Sequence, residues 1–136
     1  MDCPELLKSC RILLVDDEDG FRDALLRRMR KRGVTMDGVA SGRDALDWLA
    51  RQTVDVVILD IQLGDMDGRD VLREIRKSGG EDPAVIILSG HAYTDIALDA
   101  MRAGASDYLL KPCPVEELLE RIETAFEQVL ERRAAQ

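Results

Sequence analysis

The chain contains 136 residues, the length of a single domain, and a domain of this size can bury a substantial core. It has one Trp, two Tyr and two Phe, so we expect the core to be mainly aliphatic. The 19 basic residues are outnumbered by 27 acidic ones, and the net charge of −8 opposes non-specific binding to nucleic acid or to an anionic membrane surface.

Five short apolar runs alternate with amphipathic stretches, which is typical of βα units around a parallel sheet. The first predicted helix ends in an arginine-rich stretch closed by Gly33, and the second begins at Ser41 with a variant capping box. Ile58, Leu59 and their neighbours form an uninterrupted apolar run, as in a central strand covered on both faces, whereas the second run favours an edge strand. The predicted strands are residues 12–15, 34–39, 54–59, 84–88 and 107–110.

This pattern predicts an α/β fold with one domain over residues 11–133, preceded by an N-terminal extension of residues 1–10. The last helix is predicted from residue 115 to about residue 133. Cys3, Cys10 and Cys113 form no Cys-x-x-Cys pair and have no histidine nearby, so neither a disulfide frame nor a zinc site is expected. Because the sequence also lacks an export signal and a run of roughly 20 apolar residues, we expect a cytoplasmic protein without membrane association.

Polar residues come directly after four of the five predicted strands. Asp16 and Asp17 follow the first strand, Asp60 the third, Ser89 the fourth and Lys111 the fifth. Because open α/β sheets bind ligands at the carboxyl ends of their strands, we expect these side chains to face one crevice. Carboxylate oxygens suit Mg²⁺, and an ammonium beside the metal would help to neutralise both the carboxylates and a phosphoryl group. A plain surface turn is the alternative for the first aspartate pair alone.

The motifs around these positions resemble those of the receiver domains of two-component response regulators. They are LLVDDE, VVILDIQLGDMDG, VIILSG and DYLLKP, in the family's order and spacing, and the resemblance covers roughly residues 11–130. The resemblance implies a flavodoxin-like, doubly wound sheet of five parallel strands in the order 2-1-3-4-5, with helices on both faces. It also implies that the peptide bond between residues 111 and 112 is cis.

The resemblance implies a function for Asp60, which would accept a phosphoryl group from a histidine kinase or a histidine phosphotransfer protein. The protein would then catalyse its own phosphorylation and dephosphorylation rather than act as a conventional enzyme. Asp17, Asp60 and the carbonyl of Gln62 would ligate Mg²⁺ directly, and Asp16 would act mainly through water.

The resemblance further implies that Ser89 and Lys111 hold the phosphoryl oxygens. Tyr108 lies where the family has a switch aromatic whose rotamer follows Ser89, although a packed core aromatic is the alternative. Gln62 and His91 would tune the lifetime of the phosphorylated state, and for His91 a plain loop residue is the alternative.

Several surface features also follow from the resemblance. The fourth helix, fifth strand and fifth helix would form the switching surface and a possible homodimer contact, and an output domain or effector is implied but not identified. The basic run 27–32 suits a solvated helix end or, by resemblance, a kinase-docking site. In residues 63–65 the chain lacks the family's common Met-Pro, so we expect a more mobile and more acidic loop.

Three other functions fit the sequence less well. A haloacid-dehalogenase-type phosphatase needs a second Asp two residues after its nucleophile, where this chain has Gln62. An EF-hand calcium loop is approximated by residues 65–68 and Glu74, but its first ligand position is Leu63, and a helix beginning near Asp67 is preferred. An interaction module that keeps the fold but is not phosphorylated is the third.

Overall fold

The computed structural model describes residues 4–77, 79–90 and 94–136, and each predicted strand coincides with an observed one to within two residues. The elements are a 3₁₀ helix Glu5–Ser9, β1 Arg11–Val15, α1 Asp19–Lys31, β2 Thr35–Val39, α2 Gly42–Arg51, β3 Val56–Leu59, α3 Gly68–Arg76, β4 Ala84–Ser89, α4 Thr94–Arg102, β5 Asp107–Leu110 and α5 Val115–Ala134.

The five strands are all parallel and form one sheet in the order β2-β1-β3-β4-β5. This confirms the predicted flavodoxin-like, doubly wound arrangement. Val15 of β1 pairs with Leu59 of β3, which in turn pairs with Ile87 of β4, so the three central strands end close together. Residues that follow these strands therefore meet at one edge of the sheet.

Helices cover both faces of the sheet and bury two largely aliphatic cores. α1 and α5 contribute Met29 and Ile122 to the core on one face, whereas α2, α3 and α4 contribute Ala45, Leu72 and Ala100 to the core on the other. Every residue of β3 and β4 is buried, but none of β2 is, which confirms the predicted central and edge positions. Successive strand side chains point to opposite faces, so an uninterrupted apolar run supplies both cores.

The helix ends that the sequence predicts for α1 and α2 are also confirmed. Gly33 has a φ of +80°, a left-handed conformation that suits glycine and ends α1. At the start of α2, the Ser41 hydroxyl accepts a hydrogen bond of 3.0 Å from the Asp44 amide. This cap fixes the direction in which α2 leaves the sheet, beside the loop that follows β3.

The N-terminal segment packs against the domain. Leu7 in the 3₁₀ helix and Cys10 after it are fully buried and belong to the core beneath α1 and α5. The division between an extension and a domain at residues 10 and 11 stays a prediction.

Cys10 and Cys113 carry free thiols, and Cys3 lies outside the described residues. Burial, reinforced by the charge of Asp55, raises the pKa of Cys10 to about 12, so its sulfur stays protonated and unreactive at neutral pH. Within the described ranges, no helix has the length and apolar character needed to span a bilayer.

Candidate functional site

The aspartates and the lysine predicted from the strand ends converge at the carboxyl edge of the sheet. Asp16 and Asp17 follow β1, Asp60 follows β3, and Lys111 follows β5. An open cleft of about 690 Å³ lies at this edge, and Asp17, Asp60, Gln62 and Lys111 are among its lining residues. The topology thus brings together side chains that are up to 95 positions apart in the sequence.

One carboxylate oxygen from each of Asp16, Asp17 and Asp60 lies within 4.8 Å of the other two. Asp16 is 1 % exposed and Asp60 is 8 % exposed, whereas Asp17 is open to solvent. The Nζ of Lys111 donates to Asp16 Oδ2 at 2.6 Å and to Asp60 Oδ2 at 3.3 Å. Three carboxylates against one ammonium leave an excess of negative charge, and this oxygen-rich cluster fits a small divalent cation.

The electrostatics of the cluster are unfavourable for the Asp60 carboxylate. Burial raises the pKa of Asp60, Lys111 offsets part of that rise, and the neighbouring charge of Asp16 adds to it. Burial alone would lower the pKa of Lys111, but its hydrogen bond to Asp16 and the charges of Asp60 and Asp16 outweigh burial and raise it. Lys111 is therefore held as an ammonium, and a cation bound at Asp60 would relieve the remaining cost of its charge.

Phe21 is a site residue that the sequence analysis missed. The Lys111 Nζ lies 4.2 Å from the centre of the Phe21 ring, a cation–π contact from the first turn of α1. An apolar residue at this position looks like an ordinary core residue in the sequence, so only the fold reveals the contact. The ring gives the ammonium an aromatic neighbour in addition to its two carboxylate partners.

The loop between β3 and α3 folds back on itself beside Asp60. The Gln62 amide donates to Asp60 Oδ1 at 3.3 Å, Gln62 forms an antiparallel bridge with Asp67, and the Gly68 amide donates to the Ile61 carbonyl at 2.7 Å. A Cβ at Gly68 would collide with the backbone carbonyl oxygen of Asp60 and lie 2.8 Å from the Ile61 Cα. Glycine is therefore required where α3 begins against the strand end.

Asp67 is the N-cap of α3, and its carboxylate accepts from the Arg69 amide at 2.8 Å. This confirms the helix start that was preferred over an EF-hand loop. In the preceding loop, the Asp65 carboxylate accepts hydrogen bonds of 3.0 Å from the amides of both Gly42 and Arg43 in α2, while the predicted mobility of residues 63–65 stays a prediction. The loop is therefore tethered at its tip, and these bonds lower the pKa of Asp65.

Arg69 was also missed, because a charged residue in the first turn of a helix carries no signal of its own. Its guanidinium lines the cleft, pairs with Asp67 at 2.8 Å and reaches Asp99 of α4 at 3.2 Å. Arg73 pairs with the same Asp99 carboxylate at 2.8 Å. Two arginines of α3 thus hold α4 directly beside the cleft.

The predicted switch residues lie next to each other on β4 and β5. Ser89 is fully buried, Tyr108 is half-buried against the core of α2, α3 and α4, and their hydroxyl groups form a hydrogen bond. Burial raises the pKa of Tyr108 despite this bond. The peptide bond between Lys111 and Pro112 is cis, as the resemblance implies. His91 lies outside the described residues, so its predicted position near the site is untested.

The chain matches the family model of the response regulator receiver domain over residues 12–123. It is 38% identical over 112 residues to the response regulator MprA of Mycolicibacterium vanbaalenii, a match that covers 82% of this chain and 48% of that protein. The transcriptional regulatory protein QseB of Escherichia coli O157:H7 is 38% identical over 113 residues, covering 83% and 51%. The chain therefore spans about half the length of the curated relatives it matches.

Solved structures show the same fold. The signal receiver domain of a putative Luxo repressor protein from Vibrio parahaemolyticus superposes with a TM-score of 0.84 and 28% identity, over 93% of this chain and 97% of that one. The CheY-like response regulator receiver domain protein from Methanospirillum hungatei JF-1 gives a TM-score of 0.83 and 26% identity, over 90% and 98%.

Proposed function

The chain belongs to the response regulator receiver domain family, and on this basis we propose that Asp60 accepts a phosphoryl group in a reaction that requires Mg²⁺. The observation that carries the proposal is the acidic cluster. Its three carboxylates have oxygens within 4.8 Å of one another, Lys111 bridges two of them, and an open cleft leads to the site. This arrangement combines a nucleophile, a cation site and a positive charge for the phosphoryl oxygens.

Mg²⁺ fits the donor set, because its preferred ligands are hard oxygens with room left for water. We propose Asp17, Asp60 and the backbone carbonyl of Gln62 as direct ligands, with Asp16 acting through water. When bound, the ion would offset the excess negative charge and polarise the phosphoryl oxygens.

Asp60 is the nucleophile of the proposed transfer. One of its carboxylate oxygens forms a bond to phosphorus while the bond from phosphorus to a histidine nitrogen of the donor breaks, and the donor imidazole keeps the electron pair and takes up a proton. Lys111, already in contact with the acceptor, pairs with the phosphoryl oxygens, and the Ser89 hydroxyl donates to one of them. Hydrolysis of the resulting aspartyl phosphate by water restores Asp60, with Gln62 and His91 proposed to tune its rate.

The proposed phosphodonor is a histidine kinase or a histidine phosphotransfer protein. The C-terminal half of α1 presents Arg27, Arg28, Arg30 and Lys31 to solvent. These cations suit an acidic docking surface on such a donor, although cations at a helix C-terminus are also favoured by the helix dipole alone. Since such donors act in the cytoplasm, we propose a cytoplasmic location.

The face formed by α4, β5 and α5 is the proposed surface for output. Several of its apolar side chains are unusually exposed, among them Leu98 at 49%, Met101 at 44% and Leu110 at 46%. An ion pair of 2.7 Å between Asp107 and Arg121 joins β5 to α5 on the same face. We propose that this surface binds an output domain, an effector or a second copy of the chain, and light scattering with and without beryllofluoride would detect dimer formation.

The experiment that tests the phosphoryl transfer uses acetyl phosphate as a small donor, with intact mass spectrometry as the readout. We expect wild-type protein to be labelled with Mg²⁺ but not with EDTA, and Asp60→Asn to remain unlabelled. Asp47→Asn, an exposed substitution on α2, removes the same charge away from the site and should be labelled normally. Labelling of Asp60→Asn would refute the assignment, and unlabelled wild type would favour an interaction module that functions without phosphorylation.

A further inference from the structure

The tip of the β3–α3 loop is attached to the N-terminus of α2 by the Asp65 carboxylate. Asp65 Oδ1 accepts from the Gly42 amide and Oδ2 from the Arg43 amide, each at 3.0 Å, while Ser41 caps the next amide, that of Asp44. The first three amides of α2 are thus satisfied, two of them by a residue more than twenty positions later in the chain. A negative charge at a helix N-terminus is also favoured by the helix dipole.

Apolar packing accompanies this polar contact. A Cβ at Gly42 would lie 2.5 Å from the Met66 side chain and 2.8 Å from that of Val71, so the loop and the start of α3 fit closely against the end of α2. Leu63, on the other side of the loop tip, is buried in the same core. Gly64 stands between the buried Leu63 and the tethered Asp65, so these two anchors flank a residue with a permissive backbone.

The tethered loop includes a residue assigned to the metal site. Gln62, three positions before Asp65, lines the cleft and is bridged to Asp67. Asp65 itself is not among the residues that line the cleft, and beyond its own loop the described hydrogen bonds of its carboxylate are those from the Gly42 and Arg43 amides of α2. The contact by which Asp65 can affect the geometry of the site is therefore the backbone of the loop.

We propose that Asp65 is a positioning residue for Mg²⁺ binding: its attachment to α2 holds the loop so that the Gln62 backbone stays at the acidic cluster. This inference rests on the proposed function, because it takes Mg²⁺ as the ion and the Gln62 carbonyl as a ligand. The affinity for Mg²⁺ then depends on a carboxylate that does not touch the metal. Supporting groups of this kind affect metal affinity by roughly 10-fold or more in well-studied sites.

The test compares Asp65→Ala with Ser41→Ala. Both substitutions remove hydrogen bonds from the N-terminus of α2, but only the first detaches the β3–α3 loop. Mg²⁺ alone is titrated into each protein at a temperature where circular dichroism shows it to be folded, and the dissociation constant is measured from backbone amide shifts. Asp65→Asn, which keeps the shape but loses the charge and one acceptor, serves as a milder variant.

We expect Asp65→Ala to weaken Mg²⁺ binding by roughly 10-fold, Asp65→Asn to fall between it and wild type, and Ser41→Ala to bind within about twofold of wild type. Wild-type affinity in both Asp65 variants would overturn the inference while leaving the proposed function intact. An equal loss of affinity in Ser41→Ala would also overturn it, because the effect would then come from the helix end rather than from the loop. If wild-type protein itself binds no Mg²⁺, the proposed function fails and the inference with it.

Discussion

Replacing Asp60 by Asn should remove phosphoryl uptake and, in the metal-free protein, increase stability. The amide has nearly the shape of the carboxylate but carries no charge, and Asp60 is a buried group whose pKa is raised by that burial. Lys111 would not be left without a partner, because its hydrogen bond of 2.6 Å to Asp16 remains. The substitution thus removes a costly charge without leaving another one unpaired.

The size of the effect follows from the distances in the cluster. At an effective dielectric constant of about 20, the ammonium of Lys111 at 3.3 Å attracts Asp60 by about 5 kcal/mol. The carboxylates of Asp16 and Asp17, each within 4.8 Å, together repel it by about 7 kcal/mol on the same basis. The net repulsion is about 2 kcal/mol, or about 0.5 kcal/mol with the dielectric constant of water. We therefore expect a stabilisation of about 0.5–2 kcal/mol and a rise of roughly 2–8 °C in the melting temperature.

The difference between the two proteins should depend on pH. The folded-state pKa of Asp60 is raised above its ordinary value of 3.8, so protonation of Asp60 favours the folded state. The stability that protonated Asp60 contributes to the wild-type protein is fully present below the pKa that Asp60 has in the unfolded chain. It is lost as the pH rises through the higher pKa that Asp60 has in the folded protein. The advantage of Asp60→Asn should therefore be absent in acid and grow as the pH rises toward neutrality.

Thermal and urea unfolding in EDTA at low ionic strength would measure this difference, with Asp47→Asn as the control for a change in net charge. Adding Mg²⁺ at 100 times its dissociation constant should stabilise wild type by about 2.7 kcal/mol, and the variant should gain much less. If Asp60→Asn is less stable than wild type in EDTA at neutral pH, or gains as much from Mg²⁺, then charge repulsion does not dominate this site.

Three further substitutions test other parts of the structure. Gly68→Ala places a methyl group against the backbone at Asp60, so we expect a loss of about 1–3 kcal/mol or more in urea unfolding; an unchanged midpoint would contradict the close packing. Ser89→Ala should still be phosphorylated, but the free energy by which beryllofluoride favours the switched state should fall by about 1–3 kcal/mol. The shift of α4 amide resonances should be smaller as a result, and a full shift would exclude Ser89 as the coupling residue. Asp17→Asn should stabilise the metal-free protein less than the Asp60 substitution does, by about 0.5 kcal/mol, because Asp17 is exposed; destabilisation in EDTA would argue against mutual repulsion.

The alternation of strands and helices was predictable because the information for it is local, whereas the strand order 2-1-3-4-5 was implied by the family resemblance. Each buried strand is a short apolar run, and Gly33 and Ser41 mark helix ends that the structure confirms. The convergence of Asp60 and Lys111 followed from the rule that parallel strands end at one edge of the sheet, so it needed no knowledge of side-chain packing.

Contacts between distant segments were not predictable in this way. Two such contacts are the hydrogen bonds from α2 to Asp65 and the contact of Phe21 with Lys111. Each joins residues that are far apart in the sequence, at a spacing that no helix or strand period predicts. Gly64 predicts a mobile loop, but nothing in the local sequence indicates that the neighbouring Asp65 binds the N-terminus of α2. Arg69 was missed for the same reason, since its partner Asp99 lies on another helix.

The burial of Leu7 decides where this domain can be cut and joined to another protein. The family match covers residues 12–123, yet Leu7 lies before it and Val129 after it, and both side chains are fully buried in the core beneath α1 and α5. Losing a buried side chain of this kind typically costs about 2–5 kcal/mol, a large share of the stability of a small domain. A chimera joined at the limits of the match would lose both, so a graft that is to stay folded should extend from Pro4 to the end of α5.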